Sequence, residues 1–317
     1  MTLPIVDIII VNWNSGKQLY NCLQSIAATT KVNWGLGKVV VVDNASTDGS
    51  AKDITTNYNL PLIIIHNDTN RGFAAACNQG AKECKADYIL FLNPDTVLFE
   101  NSLSVPLEFM ERPENQNIGI VGIQLVDDKG QVSRTCARFP TPARFFVKML
   151  GLDRLFPNLF LGHFMKEWDH GNTREVDQVM GAFFLVRRTL FEILNGFDER
   201  FFVYFEDLDF SLRARERGWK SFYLADAQAY HKGGGTSEQV KAKRLFYSLR
   251  SRILYSYKHF NWLSATLLML GTMIVEPLSR IAFCITRRSG GDIVETCKAY
   301  LMLWRSIPEF MKVIIKR

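Results

Sequence analysis

Three apolar runs stop abruptly at polar clusters. VVVV at 39–42 ends in Asp43-Asn44, LIII at 62–65 in His66-Asn67-Asp68, and YILFL at 88–92 in Asn93-Pro94-Asp95. Strands without polar alternation are buried on both faces, which calls for a parallel sheet covered by helices. A fourth run, 5–11, ends in Asn12-Trp13-Asn14, and a fifth covers 118–125. Helical patterns fall between them at 17–28, 50–58, 73–84 and 101–112. The chain therefore reads as an α/β fold, a mixed and mostly parallel sheet with helices on both faces. Ligands of such sheets sit outside the carboxyl ends of the strands, where four ends here carry polar residues.

Asn-Pro-Asp after a strand is also ordinary turn chemistry, so Asp95 alone decides nothing. The surrounding motifs carry more. VVVVDNASTDGS, 39–50, offers Ser46 or Asp48 as a helix cap, whereas Asp43 precedes the cap and is left for a sugar hydroxyl or a base N–H. NRGFAAACNQG, 70–80, places Arg71 and Gly72 before a helix of small residues, a setting suited to phosphate, with Asn78 on the same helix. FFVYFEDLDF, 201–210, delivers Glu206 and Asp207 to the acidic first turn of a helix that turns basic and stops at Gly218. Capping accounts for one or two of these acids. Three acids beside five aromatics indicate a walled pocket in which a carboxylate could act as general base. A lone His231 follows the run WKSFYLADAQAYH, which reads as two short strands around Ala225-Asp226. Carboxylate and imidazole donors together fit Mn²⁺ or Mg²⁺ better than a closed zinc site. Regular pattern also occupies 176–187, while 126–175 is irregular with local helices.

After the glycines at 233–235 the character changes. From Lys241 onward there are 14 Lys or Arg against four acids, while the first 240 residues carry 24 against 28. A basic helix at 241–258 precedes the uncharged run 262–275, which Glu276-Pro277 is expected to break. Fourteen residues are too few to span a bilayer, so 262–285 reads as an interfacial or re-entrant hairpin, or as helices packed on the body. The chain is accordingly divided into 1–240, a catalytic domain, and 241–317, a helical membrane-associating region that meets an anionic surface. The six cysteines (Cys22, Cys77, Cys84, Cys136, Cys284, Cys297) form no CxxC pair, which points to a reducing compartment. MTLPIVDIIIVNWN lacks a basic n-region and carries Asp7 in its apolar run, so it reads as a first strand. The basic residues flank aliphatic surface, which argues against nucleic acid as a partner.

Taken in order, IIIVNWNS, VVVVDNASTDGS, NRGFAAACNQG, ILFLNPDT, VMGAFFLVRR, FDERFFVYFEDLDFSLRARERGW and YHKGGG resemble glycosyltransferase family 2, the inverting nucleotide-sugar enzymes with a GT-A fold. The NPDT version with FxxYFEDxDxxxR is most similar to bacterial rhamnosyltransferases of O-antigen and related surface polysaccharides. The resemblance implies that Asp95 fills the last position of the family's metal-binding DxD motif and that His231 completes the metal shell. Asn93 replaces the first acid of that motif. The resemblance further implies that Asp43 reads a pyrimidine base, that Asn12, Asn14, Arg71, Asn78 and Asn93 line the donor site, and that Asp207 is the base. Glu206, Gly181 and Ala182 would then meet the acceptor. The implied cofactor is Mn²⁺ or Mg²⁺. The implied donor is dTDP-L-rhamnose, with UDP-galactofuranose or UDP-GlcNAc as alternatives. The acceptor would be a polyprenyl-diphosphate-linked glycan met by a cytoplasmic enzyme peripheral on the inner face of the membrane. A sugar nucleotidyltransferase should carry a Gly-rich basic loop where this chain has NWNSGK, and a processive synthase should show several spans and a QxxRW motif. A non-catalytic membrane-binding module would keep the tail without binding nucleotide.

Overall fold

The computed structural model describes the chain apart from residues 1–2, 30–31, 53, 55–58, 234–239 and 316–317. It divides into two compact units. The first comprises Met1–Phe139, Phe164–Glu199 and Glu206–Thr236, and the second Pro140–His163, Arg200–Phe205 and Ser237–Arg317.

The first unit holds β1 (Ile5–Asn12), α1 (Lys17–Ala28), β2 (Gly35–Asp43), β3 (Leu62–His66), α2 (Phe73–Ala81), β4 (Tyr88–Leu92), β5 (Thr96–Leu98), α3 (Asn101–Glu111) and β6 (Ile118–Val126). Between 140 and 163 the chain forms α4 (Pro142–Met149) and α5 (Leu152–Leu155) of the second unit. It then returns for β7 (Arg174–Val176), β8 (Phe183–Arg187), α6 (Arg188–Ile193), α7 (Glu206–Glu216) and β9 (Lys220–His231). The strands form one nine-stranded sheet in the order β3-β2-β1-β4-β8-β6-β9-β5, with β7 on β9. Pairing is parallel from β3 through β2 and β1 to β4 and antiparallel where β8 enters between β4 and β6. The sheet is thus mixed, and every residue of β4 and β6 is buried, as expected of strands covered on both faces.

One packed layer joins β1, β2 and β4 to α1 and α3 through residues such as Ile8, Leu23, Val41, Leu90 and Leu103. On the opposite face, Ile9, Val40, Ala76, Phe91, Phe184 and Phe210 join α2, α6 and α7. Gly80 is needed in α2 because a Cβ there would lie 2.8 Å from Ile9.

Two sequence expectations are corrected. Within the regular pattern at 176–187, β7 ends at Val176 and β8 begins at Phe183, with an isolated antiparallel bridge from Gln178 to Ala137 between them. The run 220–231 is one strand, not two, with its pairing to β6 shifted between Leu224 and Gln228. Residues 225–227 are absorbed in that irregularity, where the Ala225 N–H donates to Oγ1 of Thr173 at 3.0 Å. The second correction concerns Pro277. The helix expected at 50–58 lies largely outside the described residues, as do Gly234 and Gly235.

The second unit contains α8 (Lys241–His259), α9 (Trp262–Thr286), α10 (Gly290–Arg305) and α11 (Ile307–Ile315). Pro277 does not stop α9, which runs unbroken for 25 residues. Proline removes an N–H and so strands the carbonyl four residues earlier. That carbonyl belongs to Met273, and it accepts from the Trp304 indole N–H of α10 at 3.3 Å. Glu276, read as part of the break, is 2 % exposed and bonds Arg252 of α8 and Arg280 of its own helix.

Candidate active site

The ends of three parallel strands lie in register, with Asn12 beside Asp43 and Asp43 beside His66. The chain runs outward from β1 to β3 and then returns to the other side of β1 as β4, so the crevice opens at the β1–β4 switch point. Asn12 is fully buried and organises the pocket floor. Its amide donates to Asp43 Oδ1 at 2.8 Å, Ser46 Oγ at 3.0 Å and Ser50 Oγ at 2.9 Å. Asp43 keeps a second oxygen 3.5 Å from Nδ1 of the exposed His66.

Asn14 adopts a left-handed conformation, φ 52°, and accepts from the Thr47 N–H at 2.7 Å, tying the loop after β1 to the loop after β2. Asp48 accepts from the N–H of Ser50 at 2.9 Å and of Gly16 at 2.8 Å. Burial pushes its carboxyl up, but the bonds from Ser50 and Gly16 together outweigh this and hold it below the usual range.

Asn44 is the member of this cluster that sequence reasoning passed over. Its amide donates to Gly72 O at 3.2 Å and Asn70 Oδ1 at 2.9 Å, while its oxygen accepts from the Arg71 N–H at 3.0 Å. Asn44 therefore shapes the turn that presents the exposed Arg71 at the start of α2, where Gly72 has φ 87°. Asn78, expected at the donor site, is engaged by the loop at 197–199. Its amide bonds Phe197 from both sides, donating to its O at 2.8 Å and accepting from its N–H at 2.9 Å. It also donates to Glu199 at 3.0 Å, so it secures the chain leading toward the acidic helix.

The second half of the site converges on Gly181-Ala182. The Gly181 N–H donates to Oδ2 of Asp207 at 2.9 Å. One residue on, Ala182 O accepts from the Asn93 N–H at 3.0 Å and from Thr96 Oγ1 at 3.4 Å. A single dipeptide thus fixes both the acidic helix start and the Asn93-Pro94-Asp95 turn. Antiparallel pairing of Thr96 with His231 then brings His231 Nε2 to 3.3 Å from Asp95 Oδ1. This carboxylate and imidazole form a two-donor set of the kind that holds Mg²⁺ or Mn²⁺ together with substrate phosphates and water. Among the described residues no group of three or more His, Cys, Asp or Glu is gathered as a metal cage.

Tyr204 and Phe205, both at positive φ (67° and 73°), immediately precede Glu206. Such backbone is costly for bulky residues and recurs at functional positions. Burial pushes the Glu206 carboxyl well above its ordinary value, and the neighbouring Asp207 charge adds to the effect. Glu206 Oε2 is buried with no hydrogen-bond partner among the described residues. Burial also raises Asp207, but Leu208, Gly181 and the Gln178 side chain all hydrogen-bond to its carboxylate and oppose that rise. Both carboxyls are thus raised by burial, and the hydrogen bonds to Asp207 favour its ionised form in a way that Glu206 lacks. Gln178 was also missed, because a glutamine in an irregular stretch carries no sequence signal.

Residues 7–192 match the sequence profile described as Glycosyl transferase family 2, and this chain belongs to that family. It has the GT-A fold of glycosyltransferases. It is 25 % identical over 277 residues to an N-acetylglucosaminyl-diphospho-decaprenol L-rhamnosyltransferase of Mycobacterium tuberculosis, covering 83 % of this chain and 88 % of that protein. It is 30 % identical over 172 residues to the rhamnosyltransferase WbbL of Escherichia coli K12, covering 53 % of this chain and 61 % of WbbL. Among solved structures it resembles the mannosyltransferase PcManGT of Pyrobaculum calidifontis, in complex with GDP-Man and Mn²⁺, with a TM-score of 0.56 at 16 % identity. That match covers 94 % of this chain and 74 % of the other.

Proposed function

We propose that this glycosyltransferase transfers L-rhamnose from dTDP-L-rhamnose, with inversion, to a polyprenyl-diphosphate-linked glycan during assembly of a bacterial surface polysaccharide. The observation that carries the reading is the Gly181-Ala182 dipeptide, which bonds the candidate base at one residue and the strand-end turn bearing Asp95 at the next. A base and a diphosphate site held through one dipeptide is the arrangement a single displacement requires. Rhamnose draws support from the names of the mycobacterial and E. coli relatives, and the lipid-linked acceptor from the mycobacterial one.

In this reading Asp43, oriented by Asn12, accepts from the pyrimidine, Asn14 shapes the same pocket, and Arg71 meets the diphosphate. Asn93 positions the Asp95 turn. Asp95 and His231 would hold a divalent cation, which when bound offsets charge on the leaving diphosphate. Asp207 removes the proton from an acceptor hydroxyl as that oxygen bonds to the anomeric carbon. The bond from that carbon to the diphosphate breaks on the opposite face, and the centre inverts. Glu206, protonated, leaves Asp207 as the ionised member of the pair. Gly181 and Ala182 supply a wall without bulky side chains for the acceptor. The enzyme would work from the cytoplasm, peripheral on the membrane that holds its acceptor.

The test is transfer from a panel of nucleotide sugars to a lipid-linked acceptor, by wild type and Asp207→Asn. Transfer from dTDP-L-rhamnose that falls roughly 10²–10⁴-fold in the variant, with nucleotide binding intact, is the expected result. Transfer from a different donor would redirect the sugar assignment. An undiminished Asp207→Asn enzyme would remove Asp207 as the base.

A further inference from the structure

The outward face of α9 carries Leu263, Leu267, Leu270, Ile274, Leu278 and Ile285, each between 46 and 67 % exposed. Their spacing of three, four or seven residues places them on one side of the helix, with no charge among them. The inward face is different in kind. Ala265, Leu268, Gly271, Thr272 and Glu276 are buried against the rest of the second unit, where Glu276 pairs with Arg252. A Cβ on Gly271 would lie 2.6 Å from the sulfur of Met149, so α4 packs directly on the α9 backbone. On α10, Val294, Leu301 and Trp304 are exposed at helical spacing, and the Trp304 bond to Met273 brings that row beside the middle of α9.

An aliphatic face of this length exceeds what soluble monomers normally leave uncovered. Helix α9 is long and apolar enough to cross a bilayer by length and composition. Crossing would require its inner face to leave α4, α8 and α10 and carry Glu276 into hydrocarbon, which its packing opposes. The charges bordering the two rows identify the occupant. Arg287 and Arg288 follow α9, Arg305 follows Trp304, and all three are exposed. Neither row contains a carboxylate, and Asp292 and Glu295, which flank Val294, are already paired with Lys241 and Lys298, so a second copy would bring no free counter-charge, whereas anionic lipid headgroups would.

We propose that α9 lies flat in the headgroup-to-acyl boundary of an anionic bilayer, with the 263–285 row and Trp304 immersed and without crossing. This rests on the membrane-linked acceptor reading for its purpose, since it would hold the enzyme at the surface where such an acceptor resides. The surface argument itself uses only this unit's residues.

The full chain would be floated with phosphatidylcholine vesicles with and without phosphatidylglycerol, alongside Ile274→Glu/Leu278→Glu. Both residues are solvent-facing, so unchanged thermal unfolding confirms that the variant is folded. Wild type is expected to float with the anionic vesicles and to be released by alkaline carbonate, and the variant's partitioning is expected to fall at least about tenfold. Quenching of tryptophan fluorescence by lipid-borne nitroxide should be lost when Trp262 and Trp304 are both replaced by Leu. Equal flotation of the variant, resistance of wild type to carbonate, or a dimer that the variant dissolves without any lipid binding would each overturn the proposal. Nucleotide binding, measured in parallel without lipid, reports separately on the transferase reading.

Discussion

Gly181 and Asp207 are joined by a 2.9 Å hydrogen bond, and a Cβ at position 181 would stand 3.3 Å from the accepting oxygen. That contact is tighter than side chains ordinarily tolerate, so Gly181→Ala should displace the carboxylate by a few tenths of an ångström while keeping the bond. Small displacements of a reacting group cost disproportionately in rate. We expect kcat to fall on the order of tenfold with the donor KM unchanged. Steady-state kinetics with donor and acceptor varied independently check this, and a rise in donor KM at constant kcat would contradict it.

Glu206→Gln separates the two acids. If Asp207 holds the first charge, its rate limb on the acid side already reflects a neutral neighbour. Transfer is lost as pH falls through the Asp207 value, which burial has raised above the ordinary 3.8. The Gln variant should retain that limb unchanged. A limb that moves to lower pH would mean that Glu206 is ionised in the working enzyme.

The same substitution bears on stability. The folded chain holds the Glu206 proton more tightly than the unfolded chain, whose value is near 4.5. The native state therefore binds more protons as pH rises past that value, and stability falls until the folded value is passed. Glu206→Gln should flatten the fall in urea midpoint as pH rises above about 4.5. An unaltered slope would place the pH dependence elsewhere.

Chelation should lower transfer, and Mn²⁺ should restore it. With one carboxylate and one imidazole as protein donors, Asp95→Ala or His231→Ala should raise the Mn²⁺ concentration for half-maximal rate at least about tenfold, since even outer partners of a metal contribute that much. Titration of rate against metal at saturating donor measures it. Full activity in EDTA would show that cationic side chains serve the diphosphate instead.

Glu276 tests the second unit. Burial pushes its carboxyl up, but Arg252 and Arg280 more than offset this and hold it below the ordinary value. Its contribution is present above about pH 4.5 and is lost as pH falls through the depressed folded value. Glu276→Gln leaves Arg252 buried beside a neutral partner and should cost about 3–5 kcal/mol. Trp304→Phe, which orphans the Met273 carbonyl, should cost about 1–3 kcal/mol. Denaturant unfolding checks both.

The strands at 39–42 and 88–92 were legible because burial on both faces erases polar alternation, whereas 62–65 carries the same apolar run as an edge strand that is only half-buried. Asp43, Asp95 and Asp207 stood out because acids at the ends of apolar runs need a reason. Asn44 and Gln178 did not, because their work is to hydrogen-bond partners distant in sequence, and an amide gives no hint of its partner. Asn78 shows the converse: a polar residue on a helix near the cleft, occupied with a turn at Phe197. Pro277 misled for a related reason. Its cost depends on whether the stranded carbonyl finds a donor, and that donor, Trp304, comes from another helix. Likewise 220–231 divides at Ala225-Asp226 by pattern, yet sheet pairing carries one strand across the irregularity.

The dipeptide at 181–182 also has a consequence for how the enzyme matures. The strands whose ends carry the proposed donor residues, β1 to β4, are neighbours early in the chain, whereas the Thr96–Ala182 contact spans 86 residues. Contacts of long sequence separation close late, because the loop must be ordered before they form. A refolding or nascent chain should therefore acquire the means to hold a nucleotide before it can react it. On the proposed reading, the site around Asp207 should be completed only when β8 slots between β4 and β6, which would order the two capacities in time.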